Sequence, residues 1–226
     1  MELREKIARR GAKLFKDGDL VNLGIGMPTL LSNYIPEGVN LTFQTENGAV
    51  NFGPAPAPGY EDPYLTNAGA NPLTIMPGGA YFDSATSFAL IRGGHVDATV
   101  LGVLEVDEQG NLANYMVPGK LVPGMGGAMD LVTGAKLVVA VTEHCDKSGK
   151  PKIRKQCSLP LTGKQVVDII LSELALIRVT PEGLVLEEIA PDTTIEEVVS
   201  KTEATLIIPE GGPEDYRVLL VIVIVS

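Results

Sequence analysis

Three short stretches of this chain place residues of useful chemistry where backbone turns would expose them. The first is Gln44-Thr45-Glu46-Asn47-Gly48, in which an acidic side chain directly follows the apolar Leu41-Thr42-Phe43. A carboxylate at the end of a buried strand can act as a nucleophile or as a general acid or base. Asn-Gly is also above all a turn dipeptide, and a surface glutamate beside a turn is common, so the residues alone leave the role of Glu46 open. The second stretch is Gly124-Met125-Gly126-Gly127-Ala128, whose glycines let backbone approach a ligand and whose amides, at the start of a following helix, could donate to an anion or a developing oxyanion. A tight turn explains the same residues equally well.

The third stretch, Gly24-Ile25-Gly26, opens like a dinucleotide fingerprint, but position 29 is Thr and no acidic residue follows the next strand in the required way. A nicotinamide or flavin site is therefore rejected. His95 has no Asp or Cys at metal-ligand spacing, and Glu143-His144-Cys145-Asp146 is too compressed to close a zinc site. No metal centre is expected. Neither a G-x-S-x-G elbow nor a phosphate-binding P-loop occurs, which removes serine hydrolases and nucleoside triphosphatases.

The elements that must position these groups alternate between helix and strand. Apolar spacing predicts a helix over residues 3–15, a strand over 20–25, a short helix from Pro28 to 34 and a strand over 41–44 that runs into Glu46. Residues 51–71, rich in Pro, Gly, Ala and Tyr without a period, read as a long ordered loop or lid. A helix capped by Ser84 or Ser87, a strand over 98–104, a hairpin turn at 107–111 and a buried strand over 137–142 follow. Thr162 is expected to cap a helix with Val166, Val167, Ile169, Ile170 and Leu174 along one side. Pro181-Glu182-Gly183 turns between two strands, residues 192–202 form a last helix, and the apolar run 218–225 is a buried strand too short to cross a bilayer as a helix. This is an α/β pattern: an open, mainly parallel sheet flanked by helices, with antiparallel hairpin additions, in one domain spanning 1–226.

Composition sets outer limits. A chain of 226 residues, 45% hydrophobic, can bury one substantial core. A formal charge of -10 disfavours nucleic acid. Two cysteines outside any C-x-x-C pattern suit a reducing cytoplasm, and the charged first ten residues do not form a secretory signal.

Taken together, these motifs resemble the B (beta) subunit of the family I CoA-transferases, the group containing 3-oxoacid and butyrate-acetoacetate CoA-transferases. The resemblance runs over nearly the whole chain. Glu46-Asn47-Gly48 is its most specific element, beside Leu23-Gly24-Ile25-Gly26-Met27-Pro28, Asn67-Ala68-Gly69, Ile91-Arg92-Gly93-Gly94-His95-Val96-Asp97, Val117-Pro118-Gly119-Lys120, Gly124-Met125-Gly126-Gly127-Ala128-Met129-Asp130 and Leu159-Pro160-Leu161-Thr162. It implies a CoA-transferase/NagB-RpiA-like fold and ping-pong transfer of CoA through a thioester on Glu46. Coenzyme A would be substrate and covalent intermediate, with no permanently bound cofactor. By the same resemblance the Gly127 amide, with Ala128, Gly126 and Asn47 around it, serves as the oxyanion and substrate loop, and Gly24 and Gly26 contact CoA. It also implies an A (alpha) subunit partner in an α2β2 heterotetramer, with an apolar partner face on this chain. Acetoacetate with succinyl-CoA or acetyl-CoA is the expected pairing, and 3-oxoadipate and butyrate are competitors. From another class, a non-catalytic acyl-CoA or sugar-phosphate binding protein could use the same sheet. Two departures stand out: Thr45 where the family has Ser, and a carboxyl end, 217–226, unlike the family's.

Overall fold

In the computed structural model, residues 2–119, 122 and 124–216 are described. Helix α1 (Leu3–Gly11) buries Ile7, Ala8, Arg10 and Gly11 and continues through a 3-10 turn at Ala12–Leu14 into strand β1 (Leu20–Leu23). Pro28 near the start of a second 3-10 segment, Met27–Tyr34, suits a first turn that lacks internal acceptors for its N–H groups. The chain then forms β2 (Thr42–Thr45), β3 (Ala49–Phe52), β4 (Ile75–Tyr81), α2 (Ser84–Arg92) and β5 (Ala98–Gly102). Next come β6 (Glu105–Asp107), β7 (Leu112–Ala113), α3 (Ala128–Gly134), β8 (Val138–Val141) and β9 (Ile153–Arg154). The last elements are β10 (Ile169–Leu171), β11 (Ala175–Thr180), β12 (Gly183–Ile189), α4 (Ile195–Ser200), β13 (Leu206–Ile207) and β14 (Glu214–Asp215).

The main sheet runs in the order β13-β12-β11-β10-β8-β5-β1-β2-β3-β4, with β14 also beside β12. Its centre, from β10 through β8, β5 and β1 to β2, is parallel throughout. Antiparallel hairpins extend it on both sides, through β3 and β4 at one end and β11 and β12 at the other. A second sheet pairs β6 with β7 and β9.

Because successive strand side chains point to opposite faces, the central strands feed two separate cores. Val138 and Ala140 of β8 pack with α2 and α3 residues such as Ile91, Leu131 and Val132. Val139 and Val141 pack on the other face with Ile7 and Ala8 of α1 and with Leu31. Each fully buried aliphatic side chain of this kind stabilises the fold by about 1.5–3 kcal/mol. A buried, two-pronged ion pair, Arg10 to Glu188 at 2.5 and 2.6 Å, ties α1 to β12.

The chain turns back on itself at β1: β2 lies on one side of it and β5, β8 and β10 on the other. In open parallel sheets such a reversal of strand order leaves a crevice at the strands' carboxyl ends. Glu46 follows β2 directly, Gly24-Ile25-Gly26 follows β1, and Gly102 ends β5, so all three open onto that crevice.

Four expectations need correction. Residues 163–168 form no helix after Thr162, and Ile169–Leu171 is a strand between β8 and β11. Its β-branched run satisfies helical spacing by being apolar at nearly every position, and burial on both faces favours the extended form. The cap of α2 is Asp83, whose side chain accepts from the Thr86 amide at 2.8 Å, while Ser87 is buried inside the helix. The long loop expected over 51–71 holds from residue 53 onward, but β3 takes Asn51 and Phe52, and an unanticipated strand, β4, pairs with it from 75 to 81. The terminal helices are shorter than predicted: α1 ends at Gly11, and α4 covers only Ile195–Ser200, capped by Thr194. The run 218–225 and Lys120 of the Val117-Pro118-Gly119-Lys120 motif lie outside the described residues. Among those described, no helix is long and apolar enough to cross a membrane.

Candidate active site

Glu46 is the first residue beyond β2, in the tight turn that reverses the chain into β3. The Gly48 amide closes this turn on the Thr45 carbonyl at 3.0 Å. Gly48 has φ +122°, and a Cβ there would stand 2.0 Å from the Phe82 carbonyl oxygen, so only glycine fits behind the glutamate. One carboxylate oxygen of Glu46 lies 3.4 Å from the Asn22 side-chain amide, a long contact from the adjacent strand. That amide donates more strongly to Gln44 Oε1, at 2.9 Å, and Gln44 in turn donates to Ser87 Oγ of α2 at 2.9 Å. Asn22, Gln44 and Ser87 are all buried, and they form a polar thread through the sheet that ends at Glu46.

The amino end of α3 meets Glu46 from the other side. Gly127 is the residue before the helix, and a Cβ on it would fall 3.0 Å from Glu46 Cγ and 3.2 Å from Phe88 Cζ. The bare backbone is what allows this approach. The Ala128 amide already donates to the Met125 carbonyl at 3.3 Å, whereas the Gly127 amide has no acceptor among the described residues.

Glu46 borders a cleft of about 1010 Å³, and so do Gly126 and Ala128, the residues on either side of Gly127. Its walls include Asn22, Gly24, Gly26, Gly126 and Ala128, the 67–71 loop and the Phe43 and Phe52 rings, 6.0 Å apart. Of the residues singled out in the sequence, Glu46, Gly24, Gly26, Gly126, Gly127 and Ala128 come together here. Asn47 does not join them. It is exposed, with its amide turned away to the Thr66 carbonyl at 2.7 Å.

A carboxylate between a polar thread and a glycine-lined amide is a site suited to carbonyl chemistry, and similarity to known proteins narrows it. The coenzyme A transferase family matches residues 4–201. This chain belongs to that family. It is 55% identical over 214 residues to the beta chain of the acetate CoA-transferase of Haemophilus influenzae, covering 95% of this chain and 96% of that one. It is 49% identical over 202 residues to the B-type chain of the succinyl-CoA:3-ketoacid coenzyme A transferase of Helicobacter pylori, covering 89% and 97%. Its fold matches an acyl-CoA transferase crystal structure from Escherichia coli O157:H7 with a TM-score of 0.75 at 21% identity, over 95% of this chain. The chain spans only 43% of that longer protein.

Other reactive side chains of this CoA-transferase chain stand apart from the cleft. Burial, with the Asp107 and Glu105 carboxylates next to it, pushes the Cys157 thiol far up, and burial also raises that of Cys145. Neither is poised as a thiolate nucleophile. His144 is fully buried between Ser172 Oγ and Thr202 Oγ1, each 2.8 Å from a ring nitrogen. Thr202 commits its proton to the Val198 carbonyl at 2.7 Å, so the ring donates from Nε2 and accepts at Nδ1. Desolvation lowers the pKa of this neutral imidazole to about 4.

The unfolded chain, with a histidine pKa of about 6.5, thus binds a proton that the folded chain refuses between pH 6.5 and 4. The stabilisation is complete above pH 6.5 and falls with pH through that window, by about 3 kcal/mol in total. Denaturant midpoints followed from pH 7 to 4 should drop in the native protein and flatten in His144→Gln. Parallel curves would contradict the assignment.

Sequence reasoning overlooked the roles of Asn22, which contacts Glu46, of Gln44, which holds Asn22, and of Asn114, which lines the cleft. A signal existed for the first: Asn22 interrupts the apolar run Leu20-Val21-Asn22-Leu23, and a polar side chain there needs a buried partner.

Proposed function

We propose that this chain is the glutamate-bearing catalytic subunit of a CoA-transferase. It would move CoA between a short-chain acyl-CoA, succinyl-CoA or acetyl-CoA, and a 3-oxoacid such as acetoacetate. The observation that carries this reading is the contact of the Glu46 side chain with the bare backbone of Gly127 at the strand-order reversal.

A Glu46 carboxylate oxygen attacks the thioester carbonyl, the carbon-sulfur bond breaks, and CoA leaves as thiolate from an acyl-glutamyl anhydride. The thiolate then attacks the glutamyl carbonyl, and the first acid departs as its carboxylate. An enzyme-CoA thioester remains, and the acceptor carboxylate runs the same steps backwards, so the exchange consumes no water and no reductant. Each addition places negative charge on a carbonyl oxygen, and the Gly127 amide is the donor this chain offers to it. Asn22 steadies the carboxylate between steps. Gly24, Gly26 and Gly126 offer backbone to the CoA arm, whose binding away from the thioester can drive the positioning a weak nucleophile needs.

The reaction is assigned to a two-chain complex with an alpha-type partner, as an α2β2 heterotetramer. Relatives named as beta or B chains match this chain nearly end to end, while the solved acyl-CoA transferase is more than twice as long. Exposed Ile25, Tyr60, Tyr64, Met76 and Tyr81 supply an apolar surface for such a partner. Two free thiols support a reducing, cytoplasmic setting. The relatives' names divide between acetate and 3-ketoacid transfer, so a panel of acids including 3-oxoadipate and butyrate decides the acceptor.

The test is to co-express the chain with its alpha partner, incubate the complex with acetoacetyl-CoA, reduce with borohydride and map the product by mass spectrometry. Reduction of a glutamyl thioester leaves an alcohol at Glu46. An active complex modified at another residue, or at none, would sink the mechanism.

A further inference from the structure

The residues on either side of Glu46 do something the motif by itself does not suggest. Thr45 is buried, at 5% exposure, with its hydroxyl turned toward the 66–71 loop. That hydroxyl donates to Asn47 Oδ1 at 2.8 Å and accepts from the Ala68 amide at 3.0 Å. Asn47 passes the connection on, donating through Nδ2 to the Thr66 carbonyl at 2.7 Å. Two side chains flanking the glutamate thus grip two alternate backbone groups of a loop some twenty residues further along.

The gripped loop is itself a closed knot. Asn67 Oδ1 accepts from the Gly69 and Asn71 amides at 2.9 and 3.0 Å, and the Asn67 amide donates to the Asn71 carbonyl at 2.9 Å. Ala70 takes a left-handed φ of +58° to make this possible. Asn67, Ala68, Gly69 and Asn71 form cleft wall beside Glu46, and a Cβ on Gly69 would lie 3.3 Å from Ile25 in the β1 loop. The knot therefore joins the turn that carries the glutamate to the glycine loop across the cleft.

We propose that Thr45 is a positioning residue whose hydroxyl latches the 66–71 wall to the Glu46 turn, and that Asn47 completes the latch. This rests on Glu46 being the nucleophile. Fixing both termini of a one-residue span sets where its carboxylate sits relative to the wall against which the thioester must lie. A displacement of about 1 Å can cost a reaction of this kind on the order of 100-fold. The hydroxyl makes both hydrogen bonds and the methyl makes neither, so a serine at position 45 could form the same latch.

The experiment uses the complex co-expressed with its alpha partner and compares Thr45→Val, Thr45→Ser and Glu46→Gln. Thr45→Val should lower kcat by about tenfold or more with KM for acyl-CoA within about twofold, since the loss is one of alignment. Thr45→Ser should retain kcat within about twofold, because it keeps the hydroxyl. Hydrogen exchange at the Ala68 amide should quicken in Thr45→Val and not in Thr45→Ser.

A Thr45→Val enzyme with native kcat beside an inactive Glu46→Gln overturns the latch and leaves the nucleophile standing. Equal losses in Thr45→Val and Thr45→Ser overturn the role of the hydroxyl. An active Glu46→Gln overturns both readings. If Thr45→Val does not assemble, Asn47→Ala on the exposed side of the turn removes the Thr66 tether and the acceptor of the Thr45 hydroxyl, and leaves the Ala68 amide's bond to Thr45 in place. A tenfold fall in its kcat then supports the latch, and native turnover overturns it.

Discussion

Glu46→Gln is expected to reduce turnover about 1,000-fold or more while leaving the fold and the complex intact, because an amide cannot form the acyl anhydride or carry CoA. Gln is close to Glu in shape, and its carbonyl can still accept from Asn22, whose contact with the carboxylate is 3.4 Å. Thermal midpoints of native and variant complexes should therefore agree closely. Borohydride should leave no alcohol at position 46. Glu46→Asp is the companion case: the carboxylate survives but withdraws by one methylene, and an activity between the two is expected. A Glu46→Gln enzyme that keeps its exchange activity would remove the chemical basis of the assignment.

Gly127→Ala should lower kcat about 100- to 1,000-fold, the range found when one oxyanion donor is lost or displaced. The new methyl would stand 3.0 Å from Glu46 Cγ and 3.2 Å from Phe88 Cζ, so the groups that must yield are the Glu46 side chain and its neighbour. The backbone itself is not strained by the change, since Gly127 has φ -82°. The loss should accordingly fall on kcat, with only a small shift in the thermal midpoint. Near-native turnover would show that the Gly127 approach is packing alone. The contrast with Gly48 is instructive: there φ is +122° and the obstructing atom is a main-chain oxygen at 2.0 Å, so the same substitution strikes at the turn and not at the chemistry.

Much of the architecture is legible from local pattern. The strand expected over 41–44 puts Glu46 at a strand terminus, and the turn residues at 107–111 and 181–183 lie between paired antiparallel strands. Strand β10 is misread because Val166, Val167, Ile169 and Ile170 satisfy helix and strand spacing alike, and only burial between β8 and β11 decides between them. Strands β3 and β4 escape notice for another reason. Phe52 pairs with Ile75 across a 22-residue excursion, and β4 holds Pro77, Gly78 and Gly79, which weaken any strand signal.

By itself the sequence determined the nucleophile candidate, the two glycine loops, the α/β class and the family resemblance, because each rests on residues within a few positions of one another. Tertiary structure alone decided what surrounds Glu46. Asn22 reaches it from the neighbouring strand, Gly127 from 81 positions away, and the 66–71 wall through the Thr45 and Asn47 latch. Hydrogen bonds and steric contacts of this kind act over about 3–4 Å in space, without regard to separation along the chain. The reversal of strand order at β1 brings these distant residues within that range.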